Sequence, residues 1–396
     1  MSNTKPGERA GAAANVGCEL LVDGKLYGGW KRIEVQRSIE QIAGGFVLEL
    51  TSRWPGVDVP QGLREGLPCQ VRLDGDTVIT GYIDLYEVEV SDITSTVRVE
   101  GRDKTGDLVD CSAIHKTGQW HNVSLEQIVR DICAPFQITV LLDAGIDTGE
   151  AFKSFALEEC EKAFDSIDRA CRLRAVLATS TATGALLLTQ ASDAATGLAL
   201  IEGDNVLRMS ATHSWKERHS LITIKTQVPG DDNEYGEAAA HIEASNADAE
   251  IDRYRPLTVI AEHGTSAKSL ADRAKWENLV RMGRGKRGRC SVVGWRTGRD
   301  GVDGPLWDTN TLAQVTSARL NLDQEMLIVG CAYALSEQGC TTELTFARRE
   351  AFELVEGIGR SRLGKRINDK TQHEKKKKGD GFVPSWSLAA PTAVKQ

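Results

Sequence analysis

Between Cys18 and Glu100 apolar and polar residues alternate with a period of two. Ile33 and Val35 fall opposite Glu34 and Gln36. Tyr86, Val88 and Val90 interleave with Glu87 and Glu89, and Val97 and Val99 with Arg98 and Glu100. Such alternation marks antiparallel strands with one face buried and the other wet. Asp74-Gly75 stands between Val71-Arg72-Leu73 and Val78-Ile79, a pairing that makes a two-residue hairpin turn. Residues 17–113 therefore read as a small barrel or sandwich, closed by a short helix near Lys104–Asp110.

The period then changes. Ser124-Leu-Glu-Gln127 fits a capping box, and Leu125, Ile128, Val129 and Ile132 follow at helical spacing until Pro135. Gln137–Leu142 reads as a strand. A second helix is predicted over 159–174, with Cys160, Ala163, Phe164, Ile167, Ala170 and Cys171 on its apolar face. A hairpin, 176–179 and 186–189, turns at Ala182-Thr183-Gly184. Residues 114–208 thus form an α+β insert.

Strand character returns at 206–213 and 221–228, and the acid- and Gly-rich stretch 229–250 reads as a loop. A long helix over 266–282 carries Ala267, Leu270, Ala271, Ala274 and Leu279. Strands follow near 289–295, 311–318, 326–335 and 341–347. This second β region, 209–352, again pairs a sheet with one helix, so a distant duplication of the first is expected. The fold class is mixed α+β, dominated by two tube-like antiparallel β domains that flank the insert. Residues 1–16 and the tail 353–396 lack apolar periodicity and read as disordered.

Charge sharpens the picture at one place. The 396-residue chain has net charge −8, yet 359–380 alone carries +6, leaving −14 on the rest. The acidic balance argues against a general nucleic-acid binder. In the tail, Lys365, Arg366, Lys375, Lys376, Lys377 and Lys378 are the candidate contacts for an acidic partner surface. No apolar run is long enough for a transmembrane helix. The N-terminus lacks the apolar core of a signal peptide, so a chain made and kept in a cytoplasm, without a membrane anchor, is expected. Nine scattered cysteines without a C-x-x-C pair read as reduced thiols.

Catalytic patterns fail on context. Gly283-Arg-Gly285-Lys-Arg-Gly288 spells G-x-G-x-x-G, but a helix precedes it and a strand follows, the reverse of the dinucleotide motif. Its glycines are expected to make a tight helix exit through positive φ. Gly359–Lys365 spells G-x-x-x-x-G-K, but Arg366 stands where a Ser or Thr must hold magnesium. The seven histidines make neither H-E-x-x-H nor a zinc spacing, and G-x-S-x-G is absent. Glu159, Glu161 and Asp165 read as the wet face of their helix, and Trp215, Trp295 and Trp307 as core or rim packing. No catalytic, cofactor-binding or metal-ligating residue is assigned, and no cofactor is expected.

Two stretches resemble the end of the first tube domain of Mu-like phage hub proteins. They are Gly81-Tyr82-Ile83-Asp84 and the run from Val97 to Ser112 that includes Gly101-Arg102-Asp103-Lys104-Thr105-Gly106. Trp120-His121-Asn122-Val123-Ser124-Leu125 is similar to the start of their insert. Leu306-Trp307-Asp308-Thr309-Asn310, Met326–Val329 and Gly339–Leu344 resemble the closing strands of their second tube domain. The resemblance covers most of 18–352 and extends to the T-even hub and late control protein D.

It implies a homotrimeric ring in which each chain lends two tube-like domains, giving a pseudo-sixfold surface. One face would continue the tail tube and the other would seat a central spike. Baseplate wedge proteins and the tape measure protein would be neighbours. The protein would reside in the virion tail after assembly in the host cytoplasm. DNA would pass through without specific binding. The net −7 of residues 17–111 suits a conduit that repels phosphate, though it equally serves solubility. The main alternative is the hub of a type VI secretion-like machine. Those chains continue into a needle, and an end at Gln396 implies a separate spike. A tail-associated cell-wall hydrolase and a DNA binder acting through the basic tail are the other classes.

Overall fold

The computed structural model describes residues 17–352 except 53–61, 93, 175, 194, 227–241, 261–266 and 338. Both ends expected to be disordered lie outside the described residues.

The first region forms β1 (Cys18–Val22), β2 (Lys25–Tyr27), β3 (Arg32–Ser38), β4 (Gly45–Ser52), β5 (Pro68–Leu73), β6 (Asp76–Val90) and β7 (Ser95–Asp103), then α1 (Gly106–Asp110). Alternation puts Leu20, Val22, Ile33, Val35, Phe46, Leu48, Val71, Leu73, Val97 and Val99 in one core. Each such side chain contributes roughly 1.5–3 kcal/mol by leaving water. Asp74 and Gly75 both take positive φ, 49° and 87°, so the strands meet at Leu73 and Asp76 as a two-residue hairpin.

The insert comprises β8 (Gln119–Trp120), α2 (Leu125–Cys133), β9 (Val140–Leu142), β10 (Phe155–Ala156), α3 (Ala163–Arg172), β11 (Leu177–Ser180) and β12 (Leu186–Thr189) around its own core. Ser124 caps α2 by accepting the Gln127 amide at 3.3 Å. The Gln127 side chain turns to Asp131 instead of reaching back, so the capping box is half made. Helix α3 begins four residues later than the pattern predicts. Glu161 accepts the Glu158 amide and is gripped by Arg169, which closes a turn that leaves Cys160 at φ 63° and exposed. The buried face of α3 is Ala163, Ser166, Ile167, Ala170 and Cys171, and Phe164, expected on it, is half-buried.

The second β region holds β13 (Ala195–Ile201), β14 (Val206–His213), β18 (Lys286–Val293), β19 (Thr311–Ser317), β20 (Leu322–Ser336) and β21 (Gly339–Ala347). Residues 195–208, grouped with the insert by their pattern, pair instead with β19 and β18. Between β14 and β18 lies a small sheet of β15 (Leu221–Thr226), β16 (Ile242–Ala247) and β17 (Pro256–Ile260), covered by α4 (Ala267–Arg284). The expected loop over 229–250 is thus partly strand, and its first part, to 241, lies outside the described residues.

The two β regions share one connectivity. In each, the first strand pairs with the fourth, the fourth with the fifth, the fifth with the sixth, the sixth with the third, and the third with the second. The strands are β1, β3, β4, β5, β6, β7 in one region and β13, β14, β18, β19, β20, β21 in the other. Both fifth strands are 15 residues long and shift register midway, at Ile83/Leu85 and Ile328/Gly330. The first–fourth pair differs, antiparallel in β1·β5 and parallel in β13·β19.

Side chains follow the repeat. Next to each shift, Ile83 faces Gly101, which faces Phe46, and Ile328 faces Phe346, which faces Gly288. Each site holds one Phe and one Gly on opposite strands, and a Cβ on either Gly would collide with the Phe ring. This corrects the expectation for the G-x-G-x-x-G run. None of its glycines has positive φ. Gly283 backs onto the Ala351 backbone, Gly285 onto the Ser214 carbonyl and Gly288 onto Phe346.

Candidate assembly surface

One edge of β20 is shared by two strands. Residues 322–328 pair with β19, and residues 330–335 pair with β3 of the first region. The register shift between Ile328 and Gly330 is where one partner gives way to the other. This seam makes one sheet of both β regions. Its centre is Tyr333 opposite Val35, both buried. The Tyr333 phenol donates to the Trp307 carbonyl, and burial pushes its pKa well above the ordinary tyrosine value. Ser38 donates to the Val329 carbonyl at 3.1 Å and accepts the Glu40 amide at 3.0 Å. Arg37–Asp308 at 2.8 Å, Arg296–Asp76 at 2.7 Å and Arg287–Glu40 add ion pairs across the two regions. Each is part-exposed, so each adds about 1 kcal/mol or less.

The matching edge of β6 is half covered. Its first half pairs with β5 up to Tyr82, whereas Leu85–Val90 pair only with β7 among the described residues. The alternation there predicts a buried face, yet Val88 is 38% and Val90 71% exposed, and Leu85 is exposed too. Among the described residues strand β14 likewise pairs along its length with β18 alone, apart from a single bridge from Val206 to Glu202, and leaves Leu207 exposed. An open strand edge bearing apolar side chains is a pairing template that folded proteins normally cover.

Elsewhere the polar groups serve structure. Arg218, buried, donates to both carboxylate oxygens of Asp248 and to Glu250 at 2.9 Å, fastening the small sheet. Asp103, buried, accepts the amides of Gly44 at 2.7 Å and Thr105 at 2.9 Å, and desolvation raises its pKa. Burial pushes the thiols of Cys18, Cys69, Cys133 and Cys290 up to about 12, so they are not nucleophiles at neutral pH. A cleft of about 270 Å³ lined by Lys104, Gln137, Thr139 and Thr183 holds no carboxylate or histidine. Among the described residues no group of three His, Cys, Asp or Glu is placed to hold a metal. Trp295 and Trp307 are core residues, whereas Trp215 is 41% exposed. Lys365, Arg366 and Lys375–Lys378, the partner contacts expected from charge, lie outside the described residues.

The chain matches four families in order. These are Mu phage baseplate assembly protein GpP-like, N-terminal, over 17–103, and baseplate hub protein gp44-like, second domain, over 105–190. Tail protein NMB1110-like, third domain, follows over 218–276, and Mu phage baseplate assembly protein GpP, fourth domain, over 265–355. The 43 kDa tail protein of prophage MuSo2 from Shewanella oneidensis is similar at 35% identity and TM-score 0.77, over 86% of this chain and 100% of that one. The tail protein from Neisseria meningitidis MC58 shares the fold at TM-score 0.71 and 22% identity, over 85% of this chain and 98% of that one. These matches place the chain among the structural proteins of the phage tail, as a hub of its baseplate. Within that class the chain belongs to the Mu baseplate hub family. It is 34% identical to baseplate hub protein gp44 of Escherichia phage Mu over 354 residues, 87% of this chain and 91% of that protein.

Proposed function

We propose that three copies of this chain form a ring that joins the sixfold tail tube to a trimeric central spike, and that the chain acts by assembly and not by catalysis. The observation that carries this reading is the repeated connectivity. Two β domains with one order of strand pairing, fused into one sheet by the β3·β20 seam, present a near-equivalent surface twice per chain. Three copies present it six times on one face while keeping threefold symmetry on the other. Tail tube protein on the first face, the spike on the second, and wedge and tape measure proteins around them are the partners this assigns. DNA would pass through the opening without sequence-specific contact. The basic tail would contribute an acidic-partner contact that is sensitive to salt. Light scattering on the purified protein tests the ring, with a mass of three times the 43.1 kDa chain expected. A monomer or a symmetric dimer at all concentrations would refute it. Release of soluble sugar from peptidoglycan by the purified chain would refute the non-catalytic reading.

A further inference from the structure

The seam inside the chain supplies a template for the contact between chains. In the second region, Ile328 faces Phe346, Phe346 faces Gly288 and Gly288 faces Ala211. In the first region, Ile83 faces Gly101, Gly101 faces Phe46 and Phe46 faces Val35. Counting from the shared register shift therefore makes Val35 equivalent to Ala211, and Tyr333 equivalent to Val88. A separate detail agrees. Ser38 lies three residues after Val35 and accepts the Glu40 amide, and Ser214 lies three residues after Ala211 and accepts the Lys216 amide at 3.2 Å. The seam pairs Tyr333 with Val35. Its counterpart pairs Val88 with Ala211, and within one chain those two edges are not joined.

We propose that the open edge of β6, Leu85–Val90, pairs antiparallel with the open edge of β14 from a neighbouring copy, setting Leu85 opposite Ser214, Val88 opposite Ala211 and Val90 opposite Met209. This deepens the ring reading above and rests on it, because it names the surface through which copies join. The occupant is a second copy because, among the described strands, β14 alone repeats the part that β3 plays in the seam. The chemistry matches. Val88 and Val90, exposed in the single chain, meet Ala211 and Met209, whose side chains are half-buried against the same core as Val35 and Tyr333. On the other side Glu87 and Glu89 meet the hydroxyls of Thr212 and Ser210, so no like charges oppose. Backbone ladder bonds supply affinity and the alternating side chains supply register. The contact is head-to-tail, since β6 is used on one side of each copy and β14 on the other, and such contacts close into a ring when the rotation between copies is a third of a turn.

A cross-link reads the register directly. With the exposed Cys111 and Cys160 changed to Ser, the Val88→Cys/Ala211→Cys chain should oxidise to a covalent trimer on non-reducing gels. Val88→Cys/Thr212→Cys places the thiols on opposite faces and should give none. Mixing Val88→Cys chains with Ala211→Cys chains should give dimers only when both are present. A charge swap gives a second readout. Val88→Lys should abolish the trimer peak in light scattering with an unchanged circular dichroism spectrum, and adding Ala211→Glu should restore it. If the unmodified chain is trimeric but the matched pair does not cross-link, or the mismatched pair links equally, the junction is overturned while the ring stands. If the unmodified chain never forms a trimer, the ring reading falls and the junction falls with it.

Discussion

The Phe–Gly pairing beside each register shift can be tested as a coupled unit. Phe346 is fully buried and its ring fills the space over Gly288. Phe346→Ala leaves a cavity and should cost about 3–5 kcal/mol. Gly288→Ala drives a methyl into that immobile ring and against the Ser210 carbonyl, an overpacking cost of about 1–3 kcal/mol. In the double variant the ring is gone, so the methyl occupies part of the void. The double variant should therefore lose clearly less than the sum of the two single costs, a coupling of roughly 1–2 kcal/mol, with a small residual cost where the methyl still meets the Ser210 carbonyl. Guanidinium unfolding followed by circular dichroism and by the fluorescence of the buried Trp295 and Trp307 would report it. The first region should rescue less. Gly101 lies under Phe46 but also against the Tyr82 carbonyl, so Gly101→Ala stays strained after Phe46→Ala. Additive costs in the second region would refute the argument that ring and glycine fill one shared space.

Three further outcomes follow from other parts of the chain. Asp248→Ala strands the buried Arg218 guanidinium with only Glu250, and should cost roughly 3–5 kcal/mol in the small sheet, read by hydrogen exchange of β15–β17. At Glu161 burial alone would raise the pKa, but the bonds from Arg169 and the Glu158 amide outweigh it and hold the carboxyl at about 2, against an ordinary 4.5. Because the folded value is the lower one, this stabilisation is full above about 4.5 and is lost as pH falls towards 2. Melting temperature against pH should fall across that window in the wild type and less in Glu161→Gln. Deleting residues 367–396 should leave folding and ring mass unchanged but weaken partner capture at low salt, in a pull-down with the tail tube and spike proteins. Loss of the ring on this deletion would contradict the account.

Much of the fold was legible wherever a local rule governs it. Period-two alternation located β3, β6 and β7, Asp74-Gly75 the hairpin, and Ser124 the start of α2. The misses have local reasons. Strand β16, Ile-Glu-Ala-Ser-Asn-Ala, has too little apolar contrast to read as a strand, and β13 is broken by Gly197 at φ 74°. Strand β17 is only five residues long. The start of α3 moved because a side-chain bond from Arg169 to Glu161 overrides the helical spacing. The assembly surface was hidden for another reason. Val88 and Val90 alternate just as buried strand residues do, and only pairing with distant segments decides whether an edge is covered. One sequence clue existed. The β6 pattern, 76–90, runs well past the six residues of β5 that pair with it, so part of one edge had to find another partner or stay open.

The central claim is that duplicated β domains build a threefold ring with a sixfold-like inner wall. Electron-microscopy class averages of the purified chain test it most directly. The account predicts end-on views with a central hole, threefold symmetry at the rim and six near-equal lobes around the opening. Solid particles, open filaments, or a ring with three unequal lobes and no repeat between them would contradict it.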